Sequence, residues 1–287
     1  MNLLALFSFT VFAAETILSP LPDDGVLIPT PQSMPEVSFG QLLTYTPPQV
    51  LGATIEEQPT PTLTPKPTRK NVFTIAVLGD SMVDTLGPGV PHLKDRLSKL
   101  YPGIIFNILN YGVGAENIDS GISRLTNNYT YLGEAKSSLV SQHPDIVIVE
   151  SFGYNPFVDP ASELDRHWLA MAKIIDVLKD SMPGVKIVIA ATIAPNATIF
   201  GDGVLNWNAT EKSEKVVRVK SYLENAIKFA KSQGLPLANA YSPSLQADGN
   251  GKPGYINPGD HIHYSDAGRE LFAEKVTSTI VSYKLLE

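Results

Sequence analysis

The chain has 287 residues, a formal net charge of −7 and no cysteine. That length supports one large domain or two small ones around a substantial core. The missing cysteine excludes disulfides, thiolate catalysis and cysteine-ligated zinc, and the scattered Lys and Arg offer no basic patch to nucleic acid.

The N-terminal apolar run "MNLLALFSFTVFAA" is ended by Glu15. It is shorter than the ~20 residues a membrane span needs and matches the apolar part of a secretory signal, with Val11 and Ala13 suited to cleavage after Ala13. No Lys or Arg precedes it. Residues 1–22 are therefore expected to be a signal or anchor, which would place the protein outside the cell or on its surface, attached to membrane or envelope through this end. Residues 23–70 read as a Pro/Thr-rich linker: residues 1–70 hold 11 of the 23 prolines. Within it "EEQPTPTLTPKPTRK" predicts an extended, semi-stiff spacer, because proline fixes φ. Residues 25–55 contain apolar positions as well and are left unassigned.

Residues 71–287 alternate apolar runs with amphipathic stretches. "VFTIAVLG" is a buried-strand pattern. In "VPHLKDRLSKLYP", Val90, Leu93, Leu97 and Leu100 fall at helical spacing and Pro102 stops the helix. "IIFNILN" predicts a second strand, and "AENIDSGISRL" and "LGEAKSSLVSQ" two helices around a polar loop. "DIVIVESF" is a strand buried on both faces, followed by the long helix "ASELDRHWLAMAKIIDVLKDSM". "VKIVIAAT" is the fourth strand. A helix over "ATEKSEKVVRVKSYLENAIKFAKSQG" ends at Gly234. "LPLANAY" is the fifth strand, and Ser265 caps a last helix over "SDAGRELFAEKVTSTIVSYKLL". Five apolar strands separated by helices imply a three-layer α/β/α sandwich with a five-stranded parallel, flavodoxin-like sheet. In such sheets ligands bind beyond the carboxyl ends of the strands.

Four segments fall at that end: Gly79-Asp80-Ser81, "NYGVGAEN" from Asn110, "SFGYNPF" from Ser151, and "GDHIHYSDAG" from Gly259. A serine hydroxyl needs a base within hydrogen-bond reach to act as a nucleophile. His263 is the candidate base, and Asp260, three residues earlier, could orient its imidazole. Candidate oxyanion donors are the N–H of Ser81, an N–H in Gly114-Ala115, and the Asn155 amide. Asp80 reads as a turn-forming acceptor and Asp84 as a helix N-cap. His261 reads as a solvent-facing loop residue, and no third ligand supports a metal site with His261 and His263. Met82, Tyr154, Phe200 and Trp207 are candidate substrate-lining residues, with core packing as the alternative. Asn128, Asn196 and Asn208 each begin an Asn-x-Thr sequon.

The ordered set GDS at 79–81, NYGVGA at 110–115, GYN at 153–155 and Asp260-His261-Ile262-His263 resembles the SGNH hydrolase superfamily, the GDSL-type esterases. The resemblance spans roughly residues 72–285. It implies a serine esterase with a Ser81–His263–Asp260 triad, an acyl-enzyme and no cofactor. Two positions depart from the family pattern. Ala115 stands where the second-block glycine is expected, and Pro156 follows Asn155 where the family usually has an acidic residue. Acidity, the export segment and the spacer together suggest a short-acyl or acetyl ester on extracellular or envelope carbohydrate. A lipid-directed esterase, a sugar O-acyltransferase and a non-catalytic carbohydrate-binding domain are the alternatives.

Overall fold

The computed structural model describes residues 70–287. The signal or anchor assigned to residues 1–22, and all of the linker assigned to residues 23–70 except Lys70, lie outside the described residues.

β1 (Val72–Gly79) leads into a one-turn helix α1 (Ser81–Asp84), then α2 (Pro91–Leu100) and β2 (Ile105–Gly112). α3 (Ile118–Thr126) is followed by a hairpin of β3 (Tyr129–Tyr131) and β4 (Glu134–Lys136). The chain continues through β5 (Ile146–Glu150), α4 (Glu163–Ser181), β6 (Lys186–Ala191) and α5 (Ala209–Ser232). β7 (Leu237–Asn239), α6 (Tyr241–Ser244) and α7 (Asp266–Ser282) complete it. The main sheet runs β2-β1-β5-β6-β7, all parallel. Leaving out the hairpin strands, that is the flavodoxin order expected from the sequence.

The alternation of β-strand side chains sorts the core into two layers. Phe73, Ile75 and Val77 of β1 and Ile146 and Ile148 of β5 pack with Leu93 and Leu97 of α2 and Phe272 and Val276 of α7. Ala76, Leu78, Val147 and Val149 face the other way, onto α3, α4 and α5 through Leu125, Ile174 and Tyr222. β1 and β5 are therefore buried on both faces, which is why their sequences are unbroken apolar runs. The Ser265 cap of α7 is present, its Oγ accepting the Gly268 N–H at 3.1 Å.

One predicted helix is absent. "LGEAKSSLVSQ" forms the second half of the β3–β4 hairpin and a short 3-10 turn at Val140–Gln142. Leu132 and Gly133 both have positive φ, 51° and 81°, which makes the tight reversal and breaks any helix there. The Asn196 sequon is structural: its buried side chain donates to the Gly251 carbonyl at 2.8 Å.

Gly112 closes β2 where it meets α1. A Cβ at this position would lie 2.1 Å from the Asp84 backbone nitrogen. Gly112→Ala should destabilise the domain by about 1–3 kcal/mol through overpacking against rigid backbone. That is a fall of several degrees in Tm, since ~1 kcal/mol moves a domain of this size by ~2–4 °C. Thermal unfolding followed by circular dichroism checks it, and an unchanged Tm would mean α1 and β2 separate freely.

Candidate active site

The site is assembled by what each strand does at its carboxyl end. β1 is flanked by β2 and β5, so the turn that follows it is held on both sides. The Gly79 carbonyl accepts the buried Arg124 guanidinium at 2.8 Å. Asp80 then caps α1, its Oδ1 accepting the Met82 N–H at 2.8 Å. Asp80, not Asp84, is thus the cap: Asp84 ends α1, and its carboxylate accepts the Tyr131 hydroxyl at 2.7 Å. Ser81 is the first residue of α1 and partly exposed. At that position its N–H has no partner within the helix.

The loop before α7 carries Asp260 and His263. Asp260 Oδ1 accepts the N–H groups of Ile262 (2.8 Å) and His263 (3.0 Å). Its Oδ2 accepts the Asn257 amide (3.0 Å) and lies 3.0 Å from His263 Nδ1. Burial pushes the Asp260 carboxyl up, but the His263 ring and these two backbone donors outweigh it and hold it at about 2. An ionised carboxylate only accepts, so Nδ1 of His263 carries the proton and Nε2 of the neutral ring is a free lone pair. Nε2 is buried and meets no partner among the described residues. No hydrogen bond joins it to Ser81 Oγ here. Such contacts are often loose before substrate binds.

Asp80 ties the segments together. It is fully buried, and burial raises its pKa. The Met82 N–H, the Asn155 amide, the His263 charge and the Tyr154 N–H all act against that rise. His263 and Asn155 therefore both lie close to the residue that precedes Ser81.

Glu150, which the sequence reading passed over, ends β5 fully buried. Burial raises its pKa well above the usual range, and the Asp80 charge adds to that. It accepts the Ser151 hydroxyl and the Phe152 N–H, the latter at 2.8 Å. Glu150 thereby holds the start of the loop that carries Asn155, directly beside Gly79 of the nucleophile turn. A charged residue closing the run "IVIVE" was the available signal.

The oxyanion candidates divide. The Gly114 N–H is already given to the Tyr131 hydroxyl at 3.0 Å. The Ala115 N–H meets no acceptor among the described residues, and Ala115 sits at φ 60°, a conformation glycine would adopt without strain. Among the expected substrate-lining residues, Met82 and Phe200 are corrected: both are core side chains, 0% and 4% exposed. Met82 points inward because α1 is a single turn packed over β1. Phe200 lies between Tyr154 and Trp207, with ring centroids 6.1 and 5.9 Å away. Tyr154 is half-buried and donates its hydroxyl to the Ile193 carbonyl at 3.1 Å. Trp207, also half-buried, stacks on Phe200 and carries the Lys215 ammonium 5.6 Å from its ring centroid. His261 is not simply solvent-facing: its Nδ1 lies 2.9 Å from the Asp202 carbonyl oxygen, linking the Asp260 loop to the segment after β6.

A cavity of about 540 Å³ lies at the outer edge of β2, beside α1. Its wall includes Asp84, Asn110, Tyr129, Tyr131, Glu134 and Lys136.

Comparison with known proteins bears on what this arrangement is. The fold matches a GDSL-like lipase of Bacteroides thetaiotaomicron VPI-5482 at TM-score 0.53 and 14% identity, over 73% of this chain and 88% of that one. It matches a lipase/acylhydrolase of Enterococcus faecalis at TM-score 0.51 and 14% identity, over 74% and 96%. It also matches a catalytic mutant of an acetylxylan esterase from Geobacillus stearothermophilus at TM-score 0.53 and 16% identity, over 72% and 94%. Comparison with curated proteins gives no match. Those identities establish the fold alone. The family description "GDSL-like Lipase/Acylhydrolase" matches residues 75–276, well over half of the sequence. With its five-stranded parallel sheet and these four strand-end segments, the chain belongs to the GDSL-like lipase/acylhydrolase family and is an SGNH-type ester hydrolase.

Proposed function

We propose that the protein hydrolyses short-acyl esters of carbohydrate through an acyl-enzyme on Ser81. The observation that carries this reading is the state of His263. Its Nδ1 is committed to Asp260, while Nε2 is left as a buried base with no partner among the described residues, at the end of the sheet where Ser81 stands.

In acylation Ser81 Oγ attacks the ester carbonyl and its proton passes to His263 Nε2. The oxyanion is received by the N–H groups of Ser81 and Ala115 and by the Asn155 amide. Breakage of the C–O bond releases the alcohol, which takes the proton from His263. Water then attacks the acyl-serine, gives a proton to His263, and the acid departs as Ser81 recovers its hydrogen. Asp260 orients the ring and stabilises the imidazolium. If a sugar hydroxyl replaces water, the same intermediate leads to acyl transfer.

The cavity beside α1 does not bear on the alcohol, because Ser81, Ala115, Asn155, Asp260 and His263 are all absent from its wall; carbohydrate as the alcohol rests on the short-acyl ester reading of the sequence. The acetylxylan esterase among the structural relatives is consistent with it. Placement outside the cell rests on the N-terminal sequence alone. The test is a panel of p-nitrophenyl esters from acetyl to octanoyl, alongside acetate release from acetylated xylo-oligosaccharides. kcat/KM should be highest for acetyl and fall about tenfold or more as the chain outgrows the pocket. A profile that rises with chain length would replace this reading with a lipid-directed esterase.

A further inference from the structure

The β3–β4 hairpin lies between α3 and β5, and its tip, Leu132, is exposed to solvent. Its three-residue strands pair only with each other. Yet Tyr131, on its inner side, makes two hydrogen bonds that join parts of the site. Its hydroxyl donates to Asp84 Oδ2 at 2.7 Å and accepts the Gly114 N–H at 3.0 Å. A phenol has one proton to give. Once that proton is committed to Asp84, the lone pairs are left for Gly114. Burial, reinforced by the Asp84 hydrogen bond and charge, raises the Tyr131 pKa, which keeps the phenol protonated.

The two partners are not arbitrary. Asp84 is on the same turn of helix as Ser81, so Tyr131 is referenced to the nucleophile's own rigid unit. Gly114 immediately precedes Ala115, which has φ 60°. A non-glycine residue in that region is strained and holds there only if its neighbours fix it. Gly114 also leaves room for the pin, since a Cβ there would lie 3.2 Å from the Tyr131 hydroxyl.

We infer that Tyr131, braced by Asp84, is a positioning residue that holds the 114–115 turn so that the Ala115 N–H faces the oxyanion formed at Ser81. The inference rests on the esterase reading above and adds to it a residue from outside the four family segments. Where a relaxed glycine is expected, this chain uses a strained alanine and a hairpin tyrosine to hold it.

The test is Tyr131→Phe, which removes only the hydroxyl, with Asp84→Asn as a second variant that keeps Tyr131. With p-nitrophenyl acetate, kcat should fall about 10–100-fold in Tyr131→Phe, somewhat less than deletion of an oxyanion donor, while KM stays within about twofold. Affinity for an arylboronic acid, which forms a tetrahedral adduct with Ser81 Oγ, should fall by the same factor as kcat. Asp84→Asn should shift both in the same direction. Hydrogen exchange at the Gly114 amide, read by NMR in enzyme without substrate, should accelerate in Tyr131→Phe. Unchanged kcat and boronate affinity would overturn the inference, as would a Gly114 amide that exchanges at the wild-type rate. A loss of kcat that merely tracks a loss of folded protein would overturn it too. Failure of the esterase reading looks different: wild type and Ser81→Ala would then hydrolyse the ester equally, whatever Gly114 does.

Discussion

Ser81→Ala should lower kcat for p-nitrophenyl acetate by about 10⁵- to 10⁶-fold, the scale of losing a nucleophile whose partners cannot act without it. The residual rate comes from substrate binding and the oxyanion donors, which the substitution leaves in place. Stability should hardly change. Ser81 is partly exposed, its hydroxyl makes no hydrogen bond among the described residues, and the cap of α1 is the Asp80 carboxylate. Activity and fold are thus separable at this position, which makes the variant decisive. Kinetics and a melting curve on one preparation should show the rate gone and Tm within a degree or two. Equal rates in the two proteins would leave the fold without this chemistry and favour a domain that binds carbohydrate without cleaving it.

How much of this was legible beforehand depended on the distance over which each feature is decided. The strands were readable because burial on both faces forces continuous apolar runs, as in "VFTIAVLG" and "DIVIVESF". The Ser265 cap was readable because its acceptor and donor lie within three residues. The Asp260–His263 pair was readable for the same reason, since one loop carries both groups. What escaped was long-range. Tyr131 and Asp84 are 47 positions apart, and nothing near either one announces the other. The hairpin that brings them together depends on positive φ at Leu132, a residue with no preference for it. For Met82 and Phe200 the sequence left pocket lining and core packing both open, and a single helical turn and a loop folded back on Tyr154 turn both inward. Glu150 stood visibly at the end of an apolar strand. Its significance depends on Asp80, which only the sheet places beside it.

Asp260→Asn is the more informative companion to Ser81→Ala, because it should abolish function while keeping the shape of the site. The expected loss in kcat is about 10⁴-fold near neutral pH. The reason is the direction of one hydrogen bond. Asp260 Oδ1 serves two backbone N–H groups, from Ile262 and His263, so an asparagine will keep its oxygen there. Its NH2 group then occupies the position of Oδ2, facing both His263 Nδ1 and the Asn257 amide. Nδ1 becomes the acceptor, the ring proton moves to Nε2, and Nε2 can no longer take a proton from Ser81. In the wild type Asp260, held at about 2, stays ionised at any assay pH above ~4. Stability follows the same ionisation. A carboxyl whose folded pKa is depressed contributes stability above its unfolded value of ~3.9, and that contribution is lost as pH falls through about 2. Between those values Asp260→Asn should lose less stability on acidification than the wild type does. Kinetics near neutral pH and acid unfolding curves on both proteins test this. If Asp260→Asn kept wild-type kcat, His263 would need no orienting partner and the assignment of Asp260 would fall.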